Sequence, residues 1–597
     1  MKIINITLII FICALHINVS YAQTPDWQWA KRGGGTVNLQ GSEVFSTGVE
    51  RILDLAIDQN DNYYFLAEVG ASQTDYDGTL ITTYSSNGAY QDIYMFSTDC
   101  QGNFRWSKSI GGRSIDRANS IVVDANDNIY ISGITRNFGS PAPHFSNDTI
   151  KTPAMLDGSM EEARKSMFII KYDDQGNFQW LQEPEGPVNY FGAPLQKTVI
   201  EPSGRTHSLV RFGPGTHLDG QLTVTDSLGQ SAIIVYDTNG NLENFIPLDM
   251  QPGLDIYDYQ LAYDPNLDRY YIADTVRGTE PELSINGFGA TTGDDKAFYL
   301  AALDNQGQVV WYHENNNVGG WSLGDIAVDD NGDIYFTGYQ NNNFSNSSTA
   351  VDSFAGYTFE IDPIENDNQH PFLIKLDSNG NLIWGTNALR FSPFPGRSIA
   401  INGNDVYLGL GSLNNEWDGM PFGTGVSGVG LLATDNAVLR FNKTTGALQE
   451  VIPMPSASIA FDMIIAMDID SNGNIVVGGH FGGSLLTADP NKSIFKTGGD
   501  TDFFIAQYGT GNCTLSTEEF SNSFDIKLYP QPASDKVFLQ SQIPIMAYTI
   551  YNLQGQKIKQ AKLDNNRIDI QQLSTGLYLI KVTNAQAKSQ VLKLIVE

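Results

Sequence analysis

IVVDANDNIYISG, beginning at Ile121, and IAVDDNGDIYFTG, beginning at Ile326, are two copies of one phrase. Each is an apolar strand, an Asp-rich turn and a second strand, alternating apolar and polar residues as a hairpin with one buried face requires. Degenerate copies begin near Ile52, Thr198, Leu261, Ile399 and Met467, which makes seven. A second phrase lies beyond a gap of variable length. It reads MFSTDCQGNFRW to Trp106, IIKYDDQGNFQW to Trp180, LAALDNQGQVVW to Trp311 and LIKLDSNGNLIW to Trp384. With Asp58, Asp124, Glu201, Asp264, Asp329, Asn402 and Asp470 as markers, the steps are 66, 77, 63, 65, 73 and 68 residues.

A period of that length holding four short strands specifies blades rather than solenoid coils. The expected fold is all-β, a seven-bladed β-propeller of four-stranded blades followed by a small β-sandwich. The chain ends support the count. The seventh copy has two strands in AMDIDSNGNIVVGG and a third in DFFIAQYG, to Gly509, but no Trp strand follows. WQWAKRGGG, from Trp27 to Gly35, aligns with FRWSKSIGG, from Phe104 to Gly112. Residues 27–32 are therefore expected to supply the missing outer strand and close the ring, which removes exposed sheet edges. With the Trp strand outermost, the short Asp/Asn/Gly turns share one face. The second-to-third connections lie on the other face and run to roughly 20 to 30 residues, long enough to carry function. Binding is expected on that face, with Trp417 and Phe422 of the Gly-rich Ser412–Asn436 connection as contact residues.

Composition narrows the class. At 597 residues, 41% hydrophobic, with 58 Gly and 27 Tyr, the chain suits a β-rich globular protein. Residues 1–22 read as a signal peptide, with Lys2, the apolar run Leu8 to Leu15 and the small-x-small site Ser20-Tyr21-Ala22. No later segment is apolar enough to span a membrane, so no transmembrane segment is expected in the mature chain. The formal charge is −32. Such acidity repels phosphate backbones and argues against a nucleic-acid partner. Residues 524–597 reverse the sign, with nine Lys/Arg against five Asp/Glu, and this marks a domain boundary. The expected divisions are a signal peptide at 1–22, a propeller at 23–512, a linker at 513–523 and a terminal domain at 524–597. Of three cysteines, Cys13 leaves with the signal. Cys100 and Cys513 become neighbours if the ring closes; a disulfide and two unpaired thiols are both open.

The last segment carries four motifs in order: Tyr529-Pro530-x-Pro532-Ala533, Tyr551-Asn552-Leu553-x-Gly555, Leu573-Ser574-x-Gly576-x-Tyr578, and Lys593-Leu594. It resembles the type A C-terminal sorting domain of type IX secretion cargo in Bacteroidota, with Gln531 where the family usually has Asn. The resemblance implies the type IX secretion machinery as partner, export through the periplasm, and release or attachment at the outer cell surface. The propeller phrases resemble the seven-bladed β-propeller repeat family of bacteria, which implies fold rather than activity. Asp148-Thr149-Ile150, Asp226-Ser227-Leu228 and Asp274-Thr275-Val276 resemble Bacteroidota O-glycosylation acceptors.

Catalytic patterns are sparse. Asp58-x-Asn60-x-Asn62 and its copies at Asp124, Asp329 and Asp470 resemble the start of a calcium loop, but Val69, Thr135, Gln340 and Phe481 stand where a bidentate acid is needed. Turn chemistry accounts for the same residues, so no cofactor or metal is expected, calcium being the one candidate retained. The repeated Trp is read as an inter-blade packing residue rather than a cofactor platform. No HExxH, GxSxG, Walker loop or Cys/His zinc pattern occurs, and no catalytic residue is assigned. The expected function is a secreted or surface binding protein for an unidentified protein or glycan. The alternative is a carbohydrate-active enzyme, a hydrolase or lyase, with carboxylates converging on the long-loop face.

Overall fold

The computed structural model describes residues 24–35 and 50–597 except 71–73, 85–89, 113–115, 137–142, 147–148, 151–164, 187–196, 228, 252–258, 276–281, 292–297, 316–320, 342–352, 361–368, 391, 393–395, 424–433, 457–461, 512, 514–526, 542–544, 553–556, 564–565 and 585–588. The signal peptide, most of the linker and Gly555 lie outside the described residues. Two compact units divide the chain, Met1–Thr514 and Leu515–Glu597.

Among the described residues the first unit holds six four-stranded antiparallel sheets and a six-stranded one, in which a small hairpin extends four blade strands. Blade 1 comprises Arg51–Ile57, Tyr63–Gly70, Gln91–Thr98 and Phe104–Ile110, from the inner strand outward. Blade 2 begins at Arg117–Val123, blade 3 at Lys197–Ile200, blade 4 at Gln260–Asp264, blade 5 at Trp321–Val328, blade 6 at Ser398–Asn402 and blade 7 at Met463–Ile469. These innermost strands touch one another in chain order, and that of blade 7 touches that of blade 1. The architecture is a β-propeller. Blade 7 takes its outer strand from the other end of the chain, where Asp26–Gly34 pairs antiparallel with Asp502–Gly509 in the register Trp27↔Tyr508 to Gly33↔Phe503. The core lies between blades, where fully buried aromatics such as Tyr64, Phe96, Tyr271 and Phe336 fill the wedges.

One interaction recurs from blade to blade. Trp106 on the outer strand of blade 1 donates its indole N–H to the Asp174 carbonyl of blade 2 at 2.9 Å. Trp180 reaches Thr238 at 3.0 Å, Trp311 reaches Ser378 at 3.0 Å, Trp384 reaches Lys443 at 3.1 Å and Trp29 of blade 7 reaches Cys100 of blade 1 at 3.3 Å. The glycine of each receiving turn lies under the indole: a Cβ on Gly176 would sit 2.9 Å from Trp106, and one on Gly102 2.9 Å from Trp29. Gly176 has φ +74° and Gly102 the same. The Asp-x-x-Gly turn and the Trp strand are thus two halves of one contact, made between successive blades rather than within one. Blades 3 and 6 have no outer Trp, and at the junction of blades 6 and 7 Trp27 donates backward to Pro453 at 2.9 Å.

Cys100, in the blade 1 turn, and Cys513, just past the third strand of blade 7, are joined by a disulfide with Cα atoms 5.8 Å apart. It covalently spans the junction that the N-terminal strand closes by hydrogen bonding.

The second unit pairs a three-stranded sheet, Lys527–Tyr529, Lys536–Gln540 and Arg567–Asp569, with a four-stranded sheet ordered Lys557–Lys562, Ile545–Tyr551, Gly576–Asn584 and Ser589–Val596. Val537, Leu539, Ile550, Ile568, Ile580, Val582, Leu594 and Val596 form its buried centre. Among the described residues no helix is long and apolar enough to cross a membrane.

Candidate functional site

The repeated Asp turns are closed by their own donors. Asp58 Oδ1 accepts the N–H groups of Asn60 and Asn62 at 2.9 and 2.8 Å, while Oδ2 accepts Asn62 Nδ2 at 2.8 Å and the Tyr64 hydroxyl at 2.7 Å. Asp124 repeats this with Asn126, Asn128 and Tyr130, and Asp470 with Asn472, Asn474 and, across the ring closure, Tyr63. Asp329 receives Asn331, Asp333, Tyr335 and an ion pair from Lys443 at 2.8 Å. A carboxylate with its lone pairs already engaged serves the hairpin. Among the described residues there is no group of three or more His, Cys, Asp or Glu arranged to hold a metal ion.

Four ionisable groups converge in the channel. Lys197 on the inner strand of blade 3 lies 3.9 Å from Asp54 of blade 1. Those blades are not neighbours, so the contact crosses the lumen. Asp325 of blade 5 feels both Lys197 and Asp54, and Asp468 of blade 7 feels Asp54. Burial pushes Asp325 up to about 6 and Asp468 up to about 7, and the Asp54 charge raises Lys197. Their free geometry is limited, because the channel acids also tie strands together: Asp54 accepts Ile121 N–H of blade 2 at 3.0 Å and Asp325 accepts Ile399 N–H of blade 6 at 2.9 Å. Chemically the arrangement offers a narrow lumen with one cation among three acids. The sequence marks these positions only by their common place four residues before the turn acid in blades 1, 3 and 5, and that signal was missed.

The opposite face corrects an expectation. Trp417 and Phe422 are buried, at 0% and 3% exposure. Trp417 donates to Thr386 Oγ1 of blade 5 at 2.7 Å and packs edge-on against Phe441 with ring centroids 5.0 Å apart. Neither side chain is offered to a ligand. The reason is a second repeat within the long connections: Tyr76-Asp77-Gly78, Ile285-Asn286-Gly287, Phe354-Ala355-Gly356 and Trp417-Asp418-Gly419 are all tips of small hairpins. The two middle residues have positive φ in every case, 46° and 85° at Asp77-Gly78 and 49° and 76° at Asp418-Gly419, as two-residue turns with right-handed twist demand. The leading apolar residue is buried each time. These hairpins dock on the preceding blade: Asp75–Tyr76 pairs with Gly33–Gly34 of the N-terminal strand, and Leu389 N–H donates to Glu416 O. The connections are in part inter-blade straps, and an apolar residue followed by Asp-Gly or Asn-Gly is the legible sign of three of the four, Phe354-Ala355-Gly356 being the exception.

This face also carries buried acids. Glu50 accepts Gly35 N–H at 2.5 Å and Gly70 N–H at 2.8 Å, beside Asp502, whose carboxylate pairs with Arg32 at 2.9 Å. Burial pushes Glu50 up to about 7, and Asp462 at the junction of blades 6 and 7 likewise to about 7. Of the glycosylation-like triplets, Asp274 and Thr275 are buried within a blade 4 strand, at 3% and 2% exposure.

In the terminal unit the motif residues gather at one end. Tyr529 stacks on Phe538 at 5.8 Å, Gly576 opens a strand opposite Val596, and the Tyr578 hydroxyl donates to Ser574 O at 3.0 Å. Gln531, between Pro530 and Pro532, donates to Lys593 O at 2.7 Å and accepts Ile595 N–H at 2.9 Å. Its amide sews the opening of the domain to its last strand.

Residues 527–597 match the family described as the secretion system C-terminal sorting domain. This domain directs its chain to the type IX secretion system and so to the cell surface or extracellular space. An uncharacterized WD repeat-containing protein of Acanthamoeba polyphaga mimivirus is 24% identical over 169 residues, 27% of this chain and 11% of the relative, so the match spans about a ninth of that protein. Among solved structures, polysaccharide lyase Uly1 superposes with a TM-score of 0.40 at 10% identity, covering 82% of this chain and 98% of that one. PorZ, a surface component of the type IX secretion system of Porphyromonas gingivalis, gives 0.20 at 12% identity, covering 93% and 82%.

Proposed function

We propose that this chain is a type IX secretion cargo whose seven-bladed propeller repeats form a binding or adhesion-type protein at the cell surface or in the medium, with a protein or glycan as ligand. Its working divisions are a cleaved signal at 1–22, the propeller at 23–512 and the sorting domain at 524–597. The observation that carries the export half is the sorting-domain match at 527–597. The binding half is supported by the chemistry of the acids: the turn acids Asp58, Asp124, Asp329 and Asp470 are engaged by their own turns, which leaves a scaffold more evident than a reaction centre. The carbohydrate-active reading keeps one observation, the acids Asp325 and Asp468, which burial raises into a range that suits proton transfer.

Deleting residues 524–597 tests export: the propeller is expected to fold and remain in the periplasm, and normal appearance outside the cell overturns the assignment. Probing a glycan and protein array with the mature chain tests the ligand class. Cleavage of an arrayed polysaccharide that is lost in Asp325→Asn would replace the binding reading by the enzymatic one.

A further inference from the structure

The four-stranded sheet of the sorting domain has two unlike faces. One buries Ile550, Ile580, Val582, Leu594 and Val596. The other is set by strand alternation and register. Lys557, Tyr551, Leu579 and Lys593 stand opposite one another across all four strands, and Leu577 stands opposite Ile595 in the next row. Lys581 faces Thr549 and Lys562 faces Ala547 on the same side. Leu579 is 37% exposed and Ile595 39%. The result is an apolar centre of Tyr551, Leu577, Leu579 and Ile595 between lysines.

Nothing on these strands balances the charge. IMAYTIY, KIKQAK, GLYLIKVTN and SQVLKLIV contain no Asp or Glu. Lys557 donates to Gln560 at 3.0 Å, and among the described residues no carboxylate pairs with any of the four lysines. In a chain of net charge −32 this is a concentrated basic surface. A sheet face with apolar side chains at its centre and charges around them has the anatomy of a protein interface, an apolar core inside a polar rim. A membrane-binding surface would instead need apolar side chains that project beyond the charged ones.

The geometry points to this outer face, centred on Tyr551, Leu579 and Ile595, as the docking surface for an acidic protein partner. The inference rests on the reading of the terminal unit as a sorting domain, and the partner is a protein of the export route that presents carboxylates around an apolar patch. The lysines steer the encounter and fix its orientation, and the apolar centre supplies the contact that excludes water.

The test uses the full chain in a cell that carries a type IX secretion system. Lys557→Glu, Lys581→Glu and Lys593→Glu are combined in one variant, and the exported fraction is expected to fall at least about tenfold, since like charges across an interface are strongly unfavourable. The triple Lys→Arg variant is expected to export normally. Reversal of Lys527 and Lys536 on the other sheet is expected to leave export unchanged. A second variant, Leu579→Ser with Ile595→Ser, removes the apolar centre on exposed positions and is expected to fail likewise, with the purified chain retaining its far-ultraviolet dichroism. If deletion of 524–597 blocks export while both face variants export normally, the docking surface is wrong and the sorting reading stands. If the deletion itself exports normally, the sorting reading falls. Purified wild-type chain is also mixed with phosphatidylglycerol vesicles: binding there that the triple Glu variant loses would make the ligand an anionic lipid and overturn the protein partner.

Discussion

The indole of Trp106 rests on Gly176 of the neighbouring blade, close enough that a Cβ there would lie 2.9 Å from the ring, while its N–H binds the carbonyl of Asp174 at 2.9 Å. One side chain thereby supplies apolar contact and a satisfied polar group at a blade junction.

Trp106→Ala is expected to cost about 2–3 kcal/mol, below the range for a fully buried aromatic because the indole is only half-buried. Gly176→Ala, which adds a methyl group at φ +74° beneath the ring, is expected to cost roughly 1–3 kcal/mol. Chemical denaturation of the propeller measures both. A double variant that loses less than the sum would show that the two residues share one interaction.

The share of stability that depends on Glu50 and Asp462 is expected to fall as pH rises from about 4 to about 7, against an opposite contribution from His480, which burial holds down at about 3. Burial raises Glu50 and Asp462 to about 7, so the folded state holds protons that the unfolded chain releases. That contribution is full below the unfolded carboxylate range and lost as pH climbs through the folded values. Melting temperatures across the window read the slope, and Glu50→Gln is expected to flatten it. A Glu50→Gln variant whose midpoint keeps an unchanged difference from wild type between about pH 4 and about pH 8 would contradict the sign.

Trp417→Ala is expected to destabilise the propeller by about 3–5 kcal/mol without altering the intrinsic affinity of the folded protein for any ligand. The measurement is a melting curve beside a binding isotherm on the folded fraction. A normal melting curve with lost binding would restore Trp417 as a contact residue.

Removing residues 24–35 leaves blade 7 with Asp502–Gly509 as an open edge. Lower thermal midpoint and concentration-dependent aggregation are expected, since an exposed strand invites pairing with other chains. An unchanged midpoint would mean that the N-terminal strand adds nothing to closure.

Cys513→Ser is expected to lower stability by about 2–5 kcal/mol, the usual effect of losing a native disulfide. Matching the variant against wild type with and without reductant measures it: the difference should vanish once both are reduced.

The sequence made the ring legible because hairpin alternation, turn residues and Trp recur with one period, and because the shortfall in the last copy is matched by a surplus at Trp27–Gly35. The site was less legible. Trp417 looked exposed because a long Gly-rich connection has no obvious core, yet the Trp417-Asp418-Gly419 turn folds the connection back and seats the ring under Phe441. The channel acids were invisible for another reason. Asp54, Lys197, Asp325 and Asp468 are separated by whole blades, and only ring closure brings them into one lumen.

The Cys100–Cys513 bond has a mechanical consequence. Cys513 is where the propeller ends and the path to the sorting tail begins, so tension on that tail enters the ring at this residue. Without the bond the load would pull on Asp502–Gly509, a strand that could be unzipped one hydrogen bond at a time. With it, the load also passes through sulfur into the turn between the third and outer strands of blade 1, so that two blades share it.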